Sequence, residues 1–346
     1  MTELFVTNFN PRFTGVSATA AGVLRAQIGQ LDATLVGHPL PGCPAPISKR
    51  TAVRETKRPV GRPFAIWHVR RNPEMRTAIW TRDVLRRPMK IVFTSSAQRL
   101  HSAYPRWLIS RMDAVIATTQ EAAKHVPNVR AVVPHGVDVD KFSPTGDKAQ
   151  AWAALGFGGT RGIATVGRVR PEKGTDIFVD AMIAALPDLP DTVALIVGAT
   201  DKEHQPFQAS LQSRVATAGL SDRILFIGEI GADRLPALMR GLTLLVALPR
   251  YEGYGMTPLE AMACGTPFVG SEAGYFRAFS SQGRAGVVVD KEDAPAAAQA
   301  VRNVLQNADR LAAMGAEARA IAVESYSVAA EAAGAIAVYE DLWAGR

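Results

Sequence analysis

Short apolar runs alternate with helical stretches along nearly the whole chain, and this alternation limits the fold more than any other feature. The runs at 4–9, 33–37, 63–69, 90–95, 114–118 and 129–133 are strand-length, rich in β-branched residues and flanked by turn residues, so they read as strands. The stretches 16–30, 73–87 and 103–111 between them carry helical patterning. A strand–helix–strand rhythm predicts a parallel sheet covered on both faces. The rhythm breaks over 134–150, where Pro, Gly and Asp cluster without periodicity. It then resumes, with strands at 162–169, 192–199, 223–228, 242–247, 267–270 and 285–289. Helices are expected at 175–185, 207–218, 232–240, 258–264, 294–306 and 329–343. The reading is an α/β chain with two Rossmann-like domains facing across a cleft. The first spans 1–135, a linker follows at 136–150, the second spans 151–325, and a helical segment at 326–346 packs back on the first. Ligands of such folds sit outside the carboxyl ends of the strands, so the chemistry belongs in the loops that follow strands.

A chain of 346 residues that is 47% hydrophobic can bury two cores, and 21% charged residues is a globular rather than a disordered composition. No apolar stretch approaches the roughly 20 residues of a membrane span. Met1-Thr2-Glu3 carries no basic region, so no secretion signal is expected. Cys43 and Cys264 lie far apart without metal-site spacing, which fits a reducing, cytoplasmic setting. Any membrane association is therefore expected to be peripheral. The net charge of +7 is uneven: residues 1–150 hold 22 Lys and Arg against 10 Asp and Glu, a net of +12, and the remainder hold 17 against 22, a net of −5. A basic half attracts nucleic acid, anionic lipid or a phosphorylated substrate, unless the charge only solubilises the surface. No interleaved aromatic platform points to nucleic acid, and no Gly-x-Gly-x-x-Gly follows the first strand.

The sharpest local signal runs from Pro249 to Pro267: after a buried strand that ends at Ala247 come the loop Arg250-Tyr251-Glu252-Gly253-Tyr254-Gly255-Met256 and a helix expected from Pro258 with Thr257 as its N-cap. Free amides at such a helix start attract an anion. Glu252 and Glu260 lie eight residues apart, and each can accept from sugar or ribose hydroxyls. Thr257-x-x-Glu260 equally fits a capping box, which needs no ligand, and Glu252 equally fits a solvated loop carboxylate. A second strand–loop–helix passage, Val166-Gly167-Arg168-Val169-Arg170-Pro171-Glu172-Lys173-Gly174-Thr175, places Arg168 and Lys173 around a helix start, where they can offset a diphosphate or simply be surface cations. Gly15, after the first strand, permits close backbone approach to a ligand.

Taken together, Glu252-x7-Glu260 within its Gly-Tyr-Gly-Met-Thr-Pro setting, Gly-Arg-x3-Glu-Lys-Gly at 167–174 and Gly-Val-Asp at 136–138 resemble glycosyltransferase family 4. The stretches Trp67-His68-Val69-Arg70-Arg71-Asn72-Pro73-Glu74-Met75 and 93–99 resemble the bacterial lipopolysaccharide core mannosyltransferases of that family. The resemblance implies the GT-B fold and a retaining, metal-independent transfer with no cofactor, the co-substrate being a nucleotide-diphosphate sugar such as GDP-mannose. It implies that Arg168 and Lys173 hold the donor diphosphate, that Glu260 binds the ribose, and that Glu252 is the catalytic carboxylate at the sugar ring. Gly255, Met256, Thr257 and Gly15 would contribute backbone contacts to the donor, and Glu229 and Ile230 would border its base.

The chain departs from the family in three places, one of them Pro134-His135-Gly136, where asparagine is common before the glycine. One glycine, Gly15, stands beside Thr14 where paired glycines are common, and Phe93-Thr94-Ser95 replaces a usual histidine. His68 and His101 are therefore candidates for sugar contact, and Arg70 and Arg71 for contact with an anionic acceptor. Asp138-Val139-Asp140 imitates a metal-binding Asp-x-Asp, but its place beside Gly136 matches the family's Gly-Val-Asp better. The basic N-terminal half predicts an anionic saccharide or glycolipid acceptor and peripheral association with the cytoplasmic face of an anionic membrane. The competing readings are transfer to a soluble acceptor from another nucleotide sugar, and a nucleotide-sugar epimerase.

Overall fold

The computed structural model describes residues 2–12 and 14–346. The chain divides into two compact units, the first formed by residues up to Gly136 together with Ser325–Arg346, the second by Val137–Glu324.

Unit 1 runs β1 (Leu4–Asn8), α1 (Gly15–Gln27), β2 (Ala33–Gly37), α2 (Lys49–Glu55), β3 (Ala65–Val69), α3 (Asn72–Ile79), β4 (Met89–Ser95), α4 (Ala103–Ser110), β5 (Ala114–Ala117), α5 (Gln120–Ala123) and β6 (Val129–Val132). The strands form one parallel sheet in the order β2-β1-β3-β4-β5-β6. Successive strand residues point to opposite faces. Leu4, Val6, Ile66, Val92 and Ile116 accordingly pack on one side, while Phe5, Trp67, Val69, Ile91 and Phe93 pack on the other with Met75, Leu108 and Ile109 from α3 and α4.

Unit 2 runs α6 (Lys148–Ala153), β7 (Arg161–Val166), α7 (Thr175–Ala185), β8 (Thr192–Val197), α8 (Gln205–Thr217), β9 (Ile224–Gly228), α9 (Leu235–Gly241), β10 (Leu244–Ala247), α10 (Met256–Ala263), β11 (Phe268–Ser271), α11 (Phe276–Phe279), β12 (Gly286–Val289), α12 (Ala294–Leu305) and α13 (Ala308–Ser325). Its parallel sheet has the order β12-β11-β10-β7-β8-β9. Strand order grows outward in both directions from β7 and β10, so the crevice outside their carboxyl ends is where a ligand of such a sheet binds. The last helix, α14 (Val328–Trp343), returns to unit 1 and packs on α1, β5 and β6. There Arg62 forks onto Glu340 at 2.7 and 2.6 Å, and Trp343 Nε1 donates to the Phe64 carbonyl at 2.9 Å.

Three local expectations are corrected. Of the stretch 136–150 expected as a linker, Gly136 belongs to unit 1 and the rest to unit 2, where it is held by hydrogen bonds. Lys148 Nζ donates to the Leu242 carbonyl and to Thr266 Oγ1, and Arg319 Nη1 to the carbonyls of Val139 and Phe142. The helix expected over 73–87 ends its regular turns at Ile79, continues as a wider π turn over Trp80–Val84, and is closed by Arg86 at φ 50°. Helices α2, α5 and α11 span only four to seven residues, too short for a 3.6-residue period to show in sequence.

Where the chain leaves unit 1 and where it returns, the backbones nearly touch. A Cβ on Gly136 would lie 2.3 Å from the Ser327 carbonyl oxygen. Glu331 secures this crossing, accepting from the Gly136 N–H at 2.7 Å and pairing with His135 Nδ1 at 2.9 Å, both side chains being buried. Gly136→Ala is therefore expected to cost about 1–3 kcal/mol in urea denaturation through overpacking of backbone that cannot yield. A loss within error would show that this crossing is loose.

Candidate active site

Two loops of unit 2 meet at the β7/β10 crevice. The first leaves β7 through Gly167 and reaches α7 through Gly174, whose φ of 65° is left-handed. A Cβ on Gly174 would lie 1.8 Å from the Leu248 carbonyl oxygen, so glycine is required for the loop to pass beneath the end of β10. The second loop leaves β10 and enters α10.

Arg250 binds the loops together. Its Nη1 and Nη2 donate to the two Asp176 oxygens at 2.9 and 2.8 Å, its Nε donates to Glu292 at 2.9 Å, and its backbone N–H donates to the Glu172 carbonyl at 3.0 Å. Burial disfavours the Asp176 carboxylate, but the Arg250 fork outweighs it and holds the pKa below its ordinary value. The same Asp176 fork drives the Arg250 pKa further upward. Such a planar two-pronged bond fixes orientation as well as distance. Ser271 Oγ holds the Pro249 carbonyl at 2.6 Å from the other side.

On this frame Lys173 Nζ donates to Glu252 Oε2 at 2.7 Å, and Glu252 Oε1 accepts from the Gly253 N–H at 2.9 Å. Both side chains line a small pocket with Gly167, Thr175, Gly255, Thr257 and Phe276. The helix start differs from the sequence expectation. Gly255, at φ 108°, precedes α10, which begins at Met256, so Thr257 is the second helical residue and no side chain caps the end. Glu260 is thereby carried beyond the capping-box position. The uncapped N–H groups of Met256 and Thr257 form the positive end of the helix. A Cβ on Gly255 would sit 2.2 Å from the Phe276 ring, so the ring and the left-handed backbone together enforce the early start.

Glu260 lies one turn along α10 from Met256, partly buried, and its carboxyl has no hydrogen-bond partner among the described residues. Burial pushes its pKa up to about 8, and Lys141 draws it back only in part. A carboxyl raised this far with no internal partner is available to hydroxyl donors from outside.

The other candidates separate. Arg168 is exposed at the crevice rim, with Nη1 3.5 Å from Asp201. Glu229 is exposed, and Ile230 lines a different hollow with Leu155, Phe157 and Leu238. Asp138 accepts from the Lys141 N–H at 3.0 Å within a turn. Gly15 opens α1 in unit 1, where an added Cβ would meet nothing within 4 Å, so packing does not demand glycine there.

His68 is fully buried between Tyr339 and Thr94, and both ring nitrogens are engaged, so it braces the sheet and leaves no nitrogen for a sugar. Burial, then nearby Arg70, pushes its pKa well below the ordinary value. Burial and the neighbouring Arg99 and His125 lower His101, whose shielded Nε2 has no partner. Arg71 is occupied with Glu74 at 3.1 Å, Asn8 at 3.0 Å and Ser17 at 2.9 Å. Arg70 differs: its Nε and Nη1 are buried and unpartnered at the carboxyl end of β3.

The residues missed in sequence are Arg250, Asp176 and Glu74. The buried Glu74 carboxylate accepts from Thr7 Oγ1 and from the N–H groups of Phe9, Arg70 and Arg71, at 2.8 to 3.1 Å. An acid in the first turn of each helix was the available signal for Asp176 and Glu74.

The raised Glu260 pKa has a measurable consequence. The folded chain keeps a proton up to about pH 8 that the unfolded chain loses near its ordinary 4.5. This contribution to stability is therefore fully present below pH 4.5 and is lost as pH rises towards 8. Glu260→Gln should flatten that decline and make the protein more stable than the parent above pH 8. Identical pH–stability curves, measured by urea denaturation, would contradict the burial of this charge.

Comparison with known proteins places this geometry. Residues 151–321 match the family model for glycosyl transferases group 1. Over 345 residues the chain is 41% identical to the lipopolysaccharide core biosynthesis mannosyltransferase LpsB of Rhizobium meliloti (strain 1021), covering 98% of this chain and 97% of that protein. It is 39% identical over 345 residues to the lipopolysaccharide core biosynthesis mannosyltransferase LpcC of Rhizobium leguminosarum bv. viciae, covering 98% and 96%. Its fold is that of Anabaena Alr3699/HepE, crystallised with UDP and glucose, at a TM-score of 0.80 and 16% identity over 99% of this chain and all of that one. The paired α/β units, the crevice between two helix-opening loops and the near-full-length similarity lead to one conclusion: the chain belongs to the group 1 glycosyltransferases and is a glycosyltransferase of the GT-B fold.

Proposed function

We propose that the protein is a retaining mannosyltransferase that moves mannose from GDP-mannose to a lipopolysaccharide core or related lipid-linked acceptor. The near-full-length similarity to two proteins named as lipopolysaccharide core mannosyltransferases carries this reading. The crevice chemistry supports the donor half of it. Departure of a nucleotide diphosphate builds negative charge, and Lys173, Arg168 and the free amides at the start of α10 supply positive charge there. Lys173 is paired with Glu252 at 2.7 Å. An arriving diphosphate competes for Lys173 and releases Glu252 to accept from sugar hydroxyls. Glu252 then orients the ring for front-side attack by the acceptor hydroxyl and forms no covalent bond. Glu260, once ionised, accepts from the ribose hydroxyls. Arg70, with two unpartnered nitrogens, is the unit 1 side chain best suited to an anionic group on the acceptor.

Transfer from radiolabelled GDP-mannose to a lipid-linked core acceptor should persist in EDTA, because the crevice carries its own cations. Loss in EDTA restored by Mg²⁺ would overturn metal independence, and transfer only from another nucleotide sugar would overturn the donor. Lys173→Ala should lower turnover roughly 10²-fold while keeping the fold, the size of effect expected when one charge-stabilising donor is removed. Equal turnover in the folded variant would remove Lys173 from the diphosphate.

Nucleotide binding should also move a proton. Hydroxyl donors favour the ionised form of Glu260, so GDP binding near pH 7 should release up to about one proton, read by calorimetry in buffers of different ionisation enthalpy. The release should vanish in Glu260→Gln. Release of the same size in that variant would assign the proton elsewhere.

A further inference from the structure

Unit 1 carries an exposed aromatic and cationic face that the glycosyl-transfer chemistry does not use. Six of the eleven exposed large hydrophobic side chains among the described residues fall between Trp80 and Trp107. Trp80, Tyr104 and Trp107 are each about half exposed, and the rings of Tyr104 and Trp107 stack at 6.3 Å. Helices α3 and α4 follow neighbouring parallel strands and pack side by side, so they run in the same direction. The bridge from Arg111, just after α4, to Asp83, in the π turn after α3, joins the two at that end at 2.9 Å. Trp80 opens the π turn that carries Asp83, and Tyr104 and Trp107 lie on α4.

The charge on this segment is one-sided. Between residues 75 and 111 there are eight Lys and Arg and one acidic residue, Asp83. Asp83 is already consumed by Arg82 and Arg111, which hold its pKa at about 2. Arg82 is tied further to Asp113 at 2.6 Å and serves the fold. Arg76, Arg86, Arg99 and Arg106 are exposed and have no carboxylate partner among the described residues. Aromatic rings with apolar bodies and polar edges, set among unpaired guanidinium groups, match the boundary between headgroups and acyl chains of an anionic bilayer.

We propose that the α3–α4 face, through Trp80, Tyr104 and Trp107 with Arg76, Arg99 and Arg106, docks the protein on an anionic lipid surface. This rests on the proposed lipid-linked acceptor, which such docking would bring within reach. No helix among the described residues is long and apolar enough to cross a membrane, so the contact is made by this face and not by a spanning segment.

The fluorescence of the protein reports the contact directly. Of its five tryptophans, Trp67, Trp152 and Trp343 are buried, which leaves Trp80 and Trp107 to respond. The full chain, mixed with phosphatidylcholine vesicles with or without phosphatidylglycerol, should sediment with the anionic vesicles and show a blue shift. Both effects should fade as salt is raised. The double substitution Trp80→Ala, Trp107→Ala should weaken sedimentation about tenfold or more, and Arg76→Glu with Arg106→Glu should do the same. The tryptophan variant should keep transfer to a detergent-dispersed acceptor. Equal binding to neutral vesicles, binding that both double variants leave unchanged, or no anionic-vesicle binding at low salt would each overturn the proposal. Self-association that replaces vesicle binding would overturn it too. Sedimentation needs no donor sugar, so its failure is separable from failure of the mannosyltransferase reading.

Discussion

A forked ion pair between Arg250 and Asp176 fixes the loop that follows β10 against the first turn of α7. Everything chemical in unit 2 depends on that attachment. Lys173 and Glu252 reside on different loops, 79 residues apart in sequence, and they stand 2.7 Å from each other because the loops do. The parallel sheet supplies a crevice where its strand order turns, but a crevice alone does not place a cation and a carboxylate within bonding distance. The guanidinium does so without using either of them, which leaves both for a ligand. Gly174 and Gly255 complete the frame by allowing backbone where a side chain would collide.

Unit 1 solves a similar problem with a buried carboxylate. Glu74 gathers N–H groups from the ends of β1 and β3, so the loops leaving those strands are held by one acceptor. Arg71 extends the same network to Ser17 in α1. The two arginines that look equivalent in sequence thereby diverge. Arg71 is spent on structure, and Arg70 is left with buried nitrogens that only a ligand or solvent can satisfy. The four-residue relay of His68, Thr94, Tyr339 and Gln27 is likewise structural, and it ties the returning helix α14 to the sheet of unit 1.

The alternation of apolar runs with helical patterning made the two parallel sheets legible, because strands such as β1, β3, β5, β8 and β11 are buried along their whole length and few other folds accept that pattern. The glycine-bearing loops were legible for the same local reason. What escaped was long-range or depended on a single backbone angle. Thr257 has the chemistry of a cap, yet the left-handed conformation of Gly255 starts the helix first, and sequence does not announce which of two adjacent candidates prevails. Arg250 was visible as a charge, but its partner Asp176 lies 74 residues away. His68 was a reasonable sugar contact until its two nitrogens proved occupied by groups from β4 and α14. The 136–150 stretch reads as a linker by composition, and only the carbonyl acceptors of Lys148 and Arg319 show it to be held.

A crystal structure with GDP bound tests the donor pocket of unit 2 most directly. The diphosphate should lie within hydrogen-bonding reach of Lys173 Nζ and the amides of Met256 and Thr257, with the Lys173–Glu252 pair opened and the ribose hydroxyls on Glu260. GDP bound elsewhere, with Lys173 still on Glu252 and Glu260 unpartnered, would contradict it.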